Sequence, residues 1–367
     1  VRFLAVKWIA DEKLTRFRPQ IVAGSQDRNL NVRMFFAYSA ALARLDNQDA
    51  SEGRMTEFFL TRLADEKSSP TLRILALQMV PPTHKKLTLE LLTGLLDQQE
   101  PALQIETVRA LNEHPSPQRT KLLLDVSRNR SRPSSLRAEA VVGLAEQSAA
   151  LHNELLQLLQ EDDATLRSEV LRALVQNKYS RDERAQLEKL AEQQPARADL
   201  VARALGKPFA KDRPKLEDLD GWLARLEGPS DPAAGRRVFF HAKLAACSRC
   251  HRVEGRGQDI GPDLSTIGQM ERRRIVEAIF QPNSSIAPHY QVWAIVTQAG
   301  KAYTGMLLRT NLDEYTYVDP KGELFKLRTT DIAESQPVPT SIMPTGLPDI
   351  LTDQELRDLL AYLTSRR

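Results

Sequence analysis

Cysteine is nearly absent from this chain. Its 367 residues carry two, Cys247 and Cys250. At most one disulfide is available, and it would close so short a loop that it would stabilise little. A zinc site would need a second Cys or His pair at ligand spacing, and the sequence offers none. Long apolar runs are missing too: none approaches the roughly 18 residues of a membrane-spanning helix, which argues against a membrane span in this chain. Nor is there an excess of one charge. The formal charge is +3 and the lysines and arginines are scattered, so neither nucleic acid nor an anionic membrane is an expected partner. No secretory signal opens the chain. Val1 enters what reads as helix, with Leu4, Ala5, Trp8 and Ile9 at helical spacing, so the chain reads as a fragment or a processed product.

What is present suits a soluble protein, with 41% hydrophobic and 27% charged residues. The length exceeds one ordinary core and predicts two or three domains. Residues 1–205 show apolar positions at i, i+3 and i+4 and almost no β-rich runs. They also repeat. The stretch Ser69 to Leu77 (SPTLRILAL) is echoed from Glu100, from Arg132 and from Asp163, so that Leu72, Leu103, Leu136 and Leu166 recur about every 31 residues. A looser copy starts at Asn31. A proline or short polar residue opens each of these helices, where a missing N–H costs nothing. A second, leucine-rich helix fills the rest of each period, as in 87–92 and 155–159. One such pair cannot bury its apolar face alone, so pairs at this period predict a HEAT-like α-solenoid, a spacer or a protein-docking surface. His84, His114 and His152 stand singly and read as surface or capping residues.

From Gly206 to Pro229 the periodicity lapses into a linker with one amphipathic piece, Leu216 to Leu226, expected to pack Trp222 on a neighbouring domain. A clear helix start follows at Ser230-Asp231-Pro232. Gly235 inside that helix is costly unless another backbone passes close by. Its expected neighbour is the last helix, from Thr352 to Ser365. There Thr352 and Glu355 make a capping box, and Leu356, Leu359, Leu360 and Leu363 form one stripe.

Between these helices stands Cys247-Ser248-Arg249-Cys250-His251, the attachment signal for a c-type haem. Each thiol would add to a haem vinyl group, and the adjacent His251 would be held against the iron as an axial ligand. A thioredoxin-like redox pair would want a strand before it and a helix starting within it. Here 239–243 reads as a helix end followed by a loop.

The order of motifs from this point carries a resemblance. His251 is followed by Gly261-Pro262-Asp263-Leu264, a helix from about Glu271 to Phe280, then Pro282 and Ile286-Ala287-Pro288-His289-Tyr290. A β-rich segment, Ser341-Ile342-Met343-Pro344 and the terminal helix complete it. Residues 230–367 thus resemble the haem-binding cytochrome c domain of planctomycete and verrucomicrobial proteins, which often follows HEAT-like repeats. Many relatives also carry a sugar-dehydrogenase-like β-propeller, which this chain lacks. The resemblance implies a class I-like cytochrome c fold, framed by the first and last helices, with one covalent haem c. It implies that the Pro262 carbonyl accepts the His251 Nδ1–H, fixing the ring and raising its basicity. It places the distal ligand at Met343, on the loop before the last helix, with Met270, Met306 and His289 as further candidates. Arg272, Arg273 and Arg274 read as a solvated face, with a haem propionate as the lesser possibility.

Residues 290–335 alternate as strands do. They predict a four-stranded antiparallel meander over 291–297, 302–308, 315–318 and 324–327, inserted between the halves of the haem domain. The expectation is therefore a mainly α chain of three parts: repeats over 1–205, a linker over 206–229 and the cytochrome over 230–367. Its function would be electron transfer, with His251 and Met343 on the iron. The electrons would come from a dehydrogenase domain or another redox partner protein. Covalent haem implies an exported, periplasmic setting. The rival expectations are a haem enzyme or gas sensor with an open distal site, and an interaction scaffold whose haem is structural.

Overall fold

The computed structural model describes residues 1–27, 30–47 and 52–366. The described chain is mainly helical and carries one small antiparallel sheet of five strands. No helix among the described residues is long and apolar enough to cross a membrane. The chain divides into two compact units, Val1–Ala173 and Leu174–Arg367. Residues 174–205, expected with the repeats, thus belong to the C-terminal unit.

The first unit holds α1 (Arg2–Asp11), α2 (Arg18–Ser25), α3 (Val32–Leu45), α4 (Glu52–Ala64), α5 (Pro70–Met79) and α6 (Leu89–Leu96). It continues with α7 (Pro101–Glu113), α8 (Arg119–Arg128), α9 (Ser134–Leu144), α10 (His152–Leu159) and α11 (Ala164–Ala173). The four recurring leucines sit early in α5, α7, α9 and α11 and are fully buried. Those four helices pack on one another in order, and each also packs on the helix before it.

The residue after each leucine has a common task. Arg73 Nε donates to Leu63 O at 2.9 Å, Gln104 Nε2 to Leu96 O at 3.0 Å, Arg137 Nε to Ser127 O at 2.7 Å and Arg167 Nε to Leu159 O at 3.2 Å. Each satisfies a carbonyl in the last turn of the preceding helix, groups that a helix leaves without an internal partner. The repeat therefore encodes its own helix-to-helix latch. His84 and His152 are half-buried. His114 departs from a surface role: it is buried, with Nε2 2.9 Å from Leu87 O, and Nδ1 accepts from Ser116 N.

The second unit opens with α12 (Arg181–Gln193), α13 (Ala198–Ala204) and α14 (Leu219–Arg225). Next come α15 (Pro232–Phe240), α16 (Arg272–Phe280), strands β1 (Val292–Thr297) to β5 (Ile332–Val338), and α17 (Asp353–Thr364). Asp231 caps α15 and Pro232 fills its first turn. Thr352 and Glu355 form the reciprocal capping box of α17. The two helices cross at Gly235, where a Cβ would lie 1.9 Å from Asp358 O. The close backbone approach expected of this glycine is therefore present. Around the crossing, Val238, Phe239, Ile275, Val276, Phe280, Leu356, Leu359, Leu360, Tyr362 and Leu363 form one core. Trp222 of α14 joins it, 4.8 Å edge-on from Phe280.

The sheet has the order β4-β3-β2-β1-β5, with β2 spanning Ala302–Thr310, β3 Glu314–Val318 and β4 Leu324–Arg328. The meander of the first four strands is as expected. The fifth, IAESQPV, escapes a reading by alternation because it is polar, exposed and ends in Pro337-Val338, the composition of an edge. One sheet face buries Val292, Met306 and Val318 against Ile260, Tyr290 and Ile342. The other gathers Ile295, Tyr317 and Leu327 with Trp293, Tyr303, Tyr315 and Phe325. Trp293, Tyr303, Tyr315 and Tyr317 thus share this second face.

Candidate functional site

The chain turns sharply into the cysteine motif. Ala246 adopts a left-handed conformation, at φ 47°, and a single 3-10 turn covers Cys247–Arg249. Cys250 N donates to Cys247 O at 3.1 Å and His251 N to the same carbonyl at 2.9 Å. This turn gathers both thiols and the imidazole onto one short loop. The segment that follows wraps back over it. Gln258 N donates to Ser248 O at 2.9 Å, while Ile260 N (3.0 Å) and Gly261 N (2.7 Å) share Cys250 O.

Two glycines make the wrap possible. Gly257 has φ +93°, and a Cβ there would stand 2.3 Å from His251 O. At Gly261 a Cβ would stand 2.7 Å from His251 Cε1 and 2.9 Å from Nδ1. The backbone thus lies directly on the imidazole, an approach open only to glycine. The sequence places Gly261-Pro262 as a rigid loop able to pass His251; the part of Gly257 is not evident from it, although three glycines in the ten residues after the motif are the available signal.

Pro262 follows, with its carbonyl 2.9 Å from His251 Nδ1. A carbonyl oxygen only accepts, so Nδ1 carries the proton and Nε2 keeps its lone pair. Burial pushes the His251 pKa down, partly opposed by this bond, so the ring is neutral at neutral pH. A neutral, oriented imidazole with a free Nε2 is the form that ligates a metal.

Both cysteines are free thiols. Cys247 is half-buried as a residue, but its sulfur is enclosed, and burial pushes its pKa up to about 12. Burial also raises Cys250, against a small opposing effect of Arg249. Thioredoxin-like pairs and reactive nucleophiles need a depressed thiol pKa. This site does the opposite. Among the described residues no three or more His, Cys, Asp or Glu side chains are arranged as a metal-holding group.

The structure separates the candidate distal ligands. Met306 is fully buried in the sheet core. Met270 is 48% exposed, and His289 lies on the surface. Met343 is half-buried and packs against the core that also receives Cys247, Leu264 and Ile267. Its neighbour Ile342 and Ile260, from the wrap after His251, pack against the same face of the sheet. The inserted sheet therefore ties the histidine loop and the methionine loop to a common surface. Arg272 and Arg273 pair with Glu227 and Asp220, and Arg274 with Glu277, which engages all three with carboxylates.

The donor set suits a covalently attached haem: two thiols, an imidazole held through Nδ1, and one thioether against the same apolar core. No family model matches the chain. No curated protein matches it significantly either.

Proposed function

We propose that this chain is an electron-transfer protein. On this reading its C-terminal unit is a class I-like cytochrome c of the planctomycete and verrucomicrobial type, and the helix pairs before it are a HEAT-like solenoid. Cys247 and Cys250 would hold one haem c covalently, and His251 and Met343 would be the ligands of its iron. The observation that carries the reading is the His251 Nδ1 to Pro262 carbonyl contact, with Gly261 against the ring and two protonated thiols beside it.

When bound, the haem supplies an iron that cycles between ferrous and ferric states. The chain's own residues set the conditions. The Pro262 carbonyl keeps the proton on Nδ1 and fixes the ring plane. Burial holds the imidazole neutral. The core of Leu264, Ile267, Val276, Leu359 and Leu360 keeps water off, which disfavours extra positive charge and so favours the reduced state. A thioether from Met343 acts in the same direction. A redox partner protein or a dehydrogenase supplies the electrons, the helical repeats serve as a docking surface, and the setting is periplasmic.

Production in a host that attaches haem to such motifs tests the reading. The expected product carries the mass of one haem and a pyridine haemochrome spectrum of thioether-linked haem. Met343→Ala should lose the low-spin His/Met bands and bind carbon monoxide rapidly. A chain of bare polypeptide mass would refute the cofactor, and unchanged bands in Met343→Ala would refute the distal ligand. Rapid carbon monoxide binding by the wild-type protein would instead point to an open-site haem enzyme or sensor.

A further inference from the structure

The segment between α13 and α15, expected as a linker, is anchored to the loop that follows Met343. Two of its arginines, Arg213 and Arg225, do this, joined by Arg203 of α13. Arg213 donates through Nη1 to Pro348 O at 2.7 Å and through Nη2 to Leu351 O at 2.6 Å, and its Nε donates to Asp353 Oδ1 at 2.9 Å. Arg225 Nε takes the other oxygen of Asp353 at 2.6 Å. Its remaining nitrogens donate to Asp212 O and Lys211 O, both at 2.9 Å, which locks the backbone leading into Arg213 in place. Arg203 of α13 donates to Ile350 O at 2.9 Å and makes a two-pronged pair with Glu355. The carbonyls of 348, 350 and 351 are thus all held by guanidinium groups.

These contacts are enclosed. The side chains of Arg203 and Arg213 are 6% and 12% exposed. Arg213 also lies over the Trp222 ring, 5.4 Å from its centroid. At the other end of the loop, Asn283 Oδ1 accepts from Ser341 N at 2.8 Å, and Ser341 Oγ accepts from Met343 N at 3.1 Å. Met343 therefore lies on a short span pinned at both ends, with the left-handed Gly346 between it and the clamp. A surface loop is ordinarily the most mobile part of a fold. A planar fork that engages two carbonyls and a carboxylate together removes that freedom in a way a single point charge does not.

We propose that Arg213, braced by Arg225 and Arg203, is a positioning residue for Met343. It holds the 341–351 loop so that the thioether stays at the iron. This rests on the reading of Met343 as distal ligand.

The test compares the full haem-loaded chain with Arg213→Ala, Arg213→Lys and Asp353→Asn. The readouts are haem content, the His/Met absorption bands, the midpoint potential, and hydrogen exchange of residues 341–351. Arg213→Ala should keep its covalent haem, lose the His/Met bands, shift to lower potential and exchange about tenfold faster in the loop, the change expected for one lost charged hydrogen bond. Arg213→Lys should recover only part of this. Asp353→Asn, which attacks the clamp from the loop side, should move each readout the same way by less, and it decides the matter if Arg213→Ala does not fold. Unchanged bands and unchanged loop exchange in both variants would overturn the positioning role. Wild-type protein with haem but without His/Met bands would instead sink Met343 as ligand. A chain without haem would sink the proposed function, and the loop exchange would then still decide whether the arginines hold the loop.

Discussion

The crossing of α15 and α17 sets two effects against each other at Gly235, and the structure decides the sign. Helix propensity alone favours Gly235→Ala by about 1 kcal/mol. The added Cβ, however, would lie 1.9 Å from Asp358 O, about 1.5 Å short of the 3.4 Å at which ordinary contact begins. The obstacle is backbone, so no rotamer change relieves it, and the helices must move apart. Overpacking of this kind costs roughly 1–3 kcal/mol and sometimes more. A gap of even 0.5–1 Å forfeits about a quarter to a half of each dispersion contact it opens. The buried contacts of Val238, Phe239, Leu359 and Leu360 are at stake, which places the cost at the upper end. The net expectation is a loss of about 2 kcal/mol, or a melting temperature lower by about 4–8 °C for a unit of this size.

Gly94 is the matched control. It lies in α6, and no neighbouring group stands within 4 Å of the place a Cβ would take, so Gly94→Ala should stabilise by about 0.5–1 kcal/mol. Urea unfolding monitored by tryptophan fluorescence distinguishes the units, since Trp222 is buried against Phe280 in the C-terminal one. A Gly235→Ala variant at least as stable as the wild type would refute the reasoning.

Three further outcomes follow from other contacts. Gly261→Ala would force a Cβ onto the His251 ring and break its bond to Pro262; if the chain carries haem as proposed, its His/Met bands should then be lost, and an unaltered low-spin spectrum would contradict this. Arg203→Met leaves the fully buried Glu355 carboxylate without its guanidinium and should cost about 3–5 kcal/mol in denaturant unfolding; a loss below about 1 kcal/mol would show that the pair adds little. Asp163 titrates below its usual 3.8: burial pushes it up, and the N–H groups of Leu166 and Thr165, the Ser134 hydroxyl and Arg137 outweigh that. A lowered folded pKa stabilises above 3.8 and the benefit fades as pH falls through the folded value. Asp163→Asn keeps a capping oxygen but loses the charge, so it should be about 0.3–1 kcal/mol less stable at neutral pH, with the gap closing in acid; a gap independent of pH would argue against this account.

Local chemistry is legible in the sequence. Periodicity and caps locate the helices of the repeats, the capping box of α17 and the Asp231-Pro232 start of α15, because each depends on residues within a turn of one another. The cysteine motif is readable for the same reason, and the crossing at Gly235 because a glycine inside a helix asks for a close neighbour. What depends on partners distant along the chain is not readable. Arg213 and Arg225 look like charges in a linker, and only folding brings them to carbonyls and a carboxylate more than 120 residues away. The polar fifth strand becomes visible only through its ladder to β1. Met343 is marked in the sequence by its loop before the last helix; the structure adds that Met270 is exposed, that Met306 is buried in the sheet core, and that Met343 packs on the core of the C-terminal unit. Short-range hydrogen bonding and apolar spacing are written in neighbouring letters. Close backbone approach, enclosed ion pairs and the burial of one methionine over another are properties of surfaces that meet only in the folded chain.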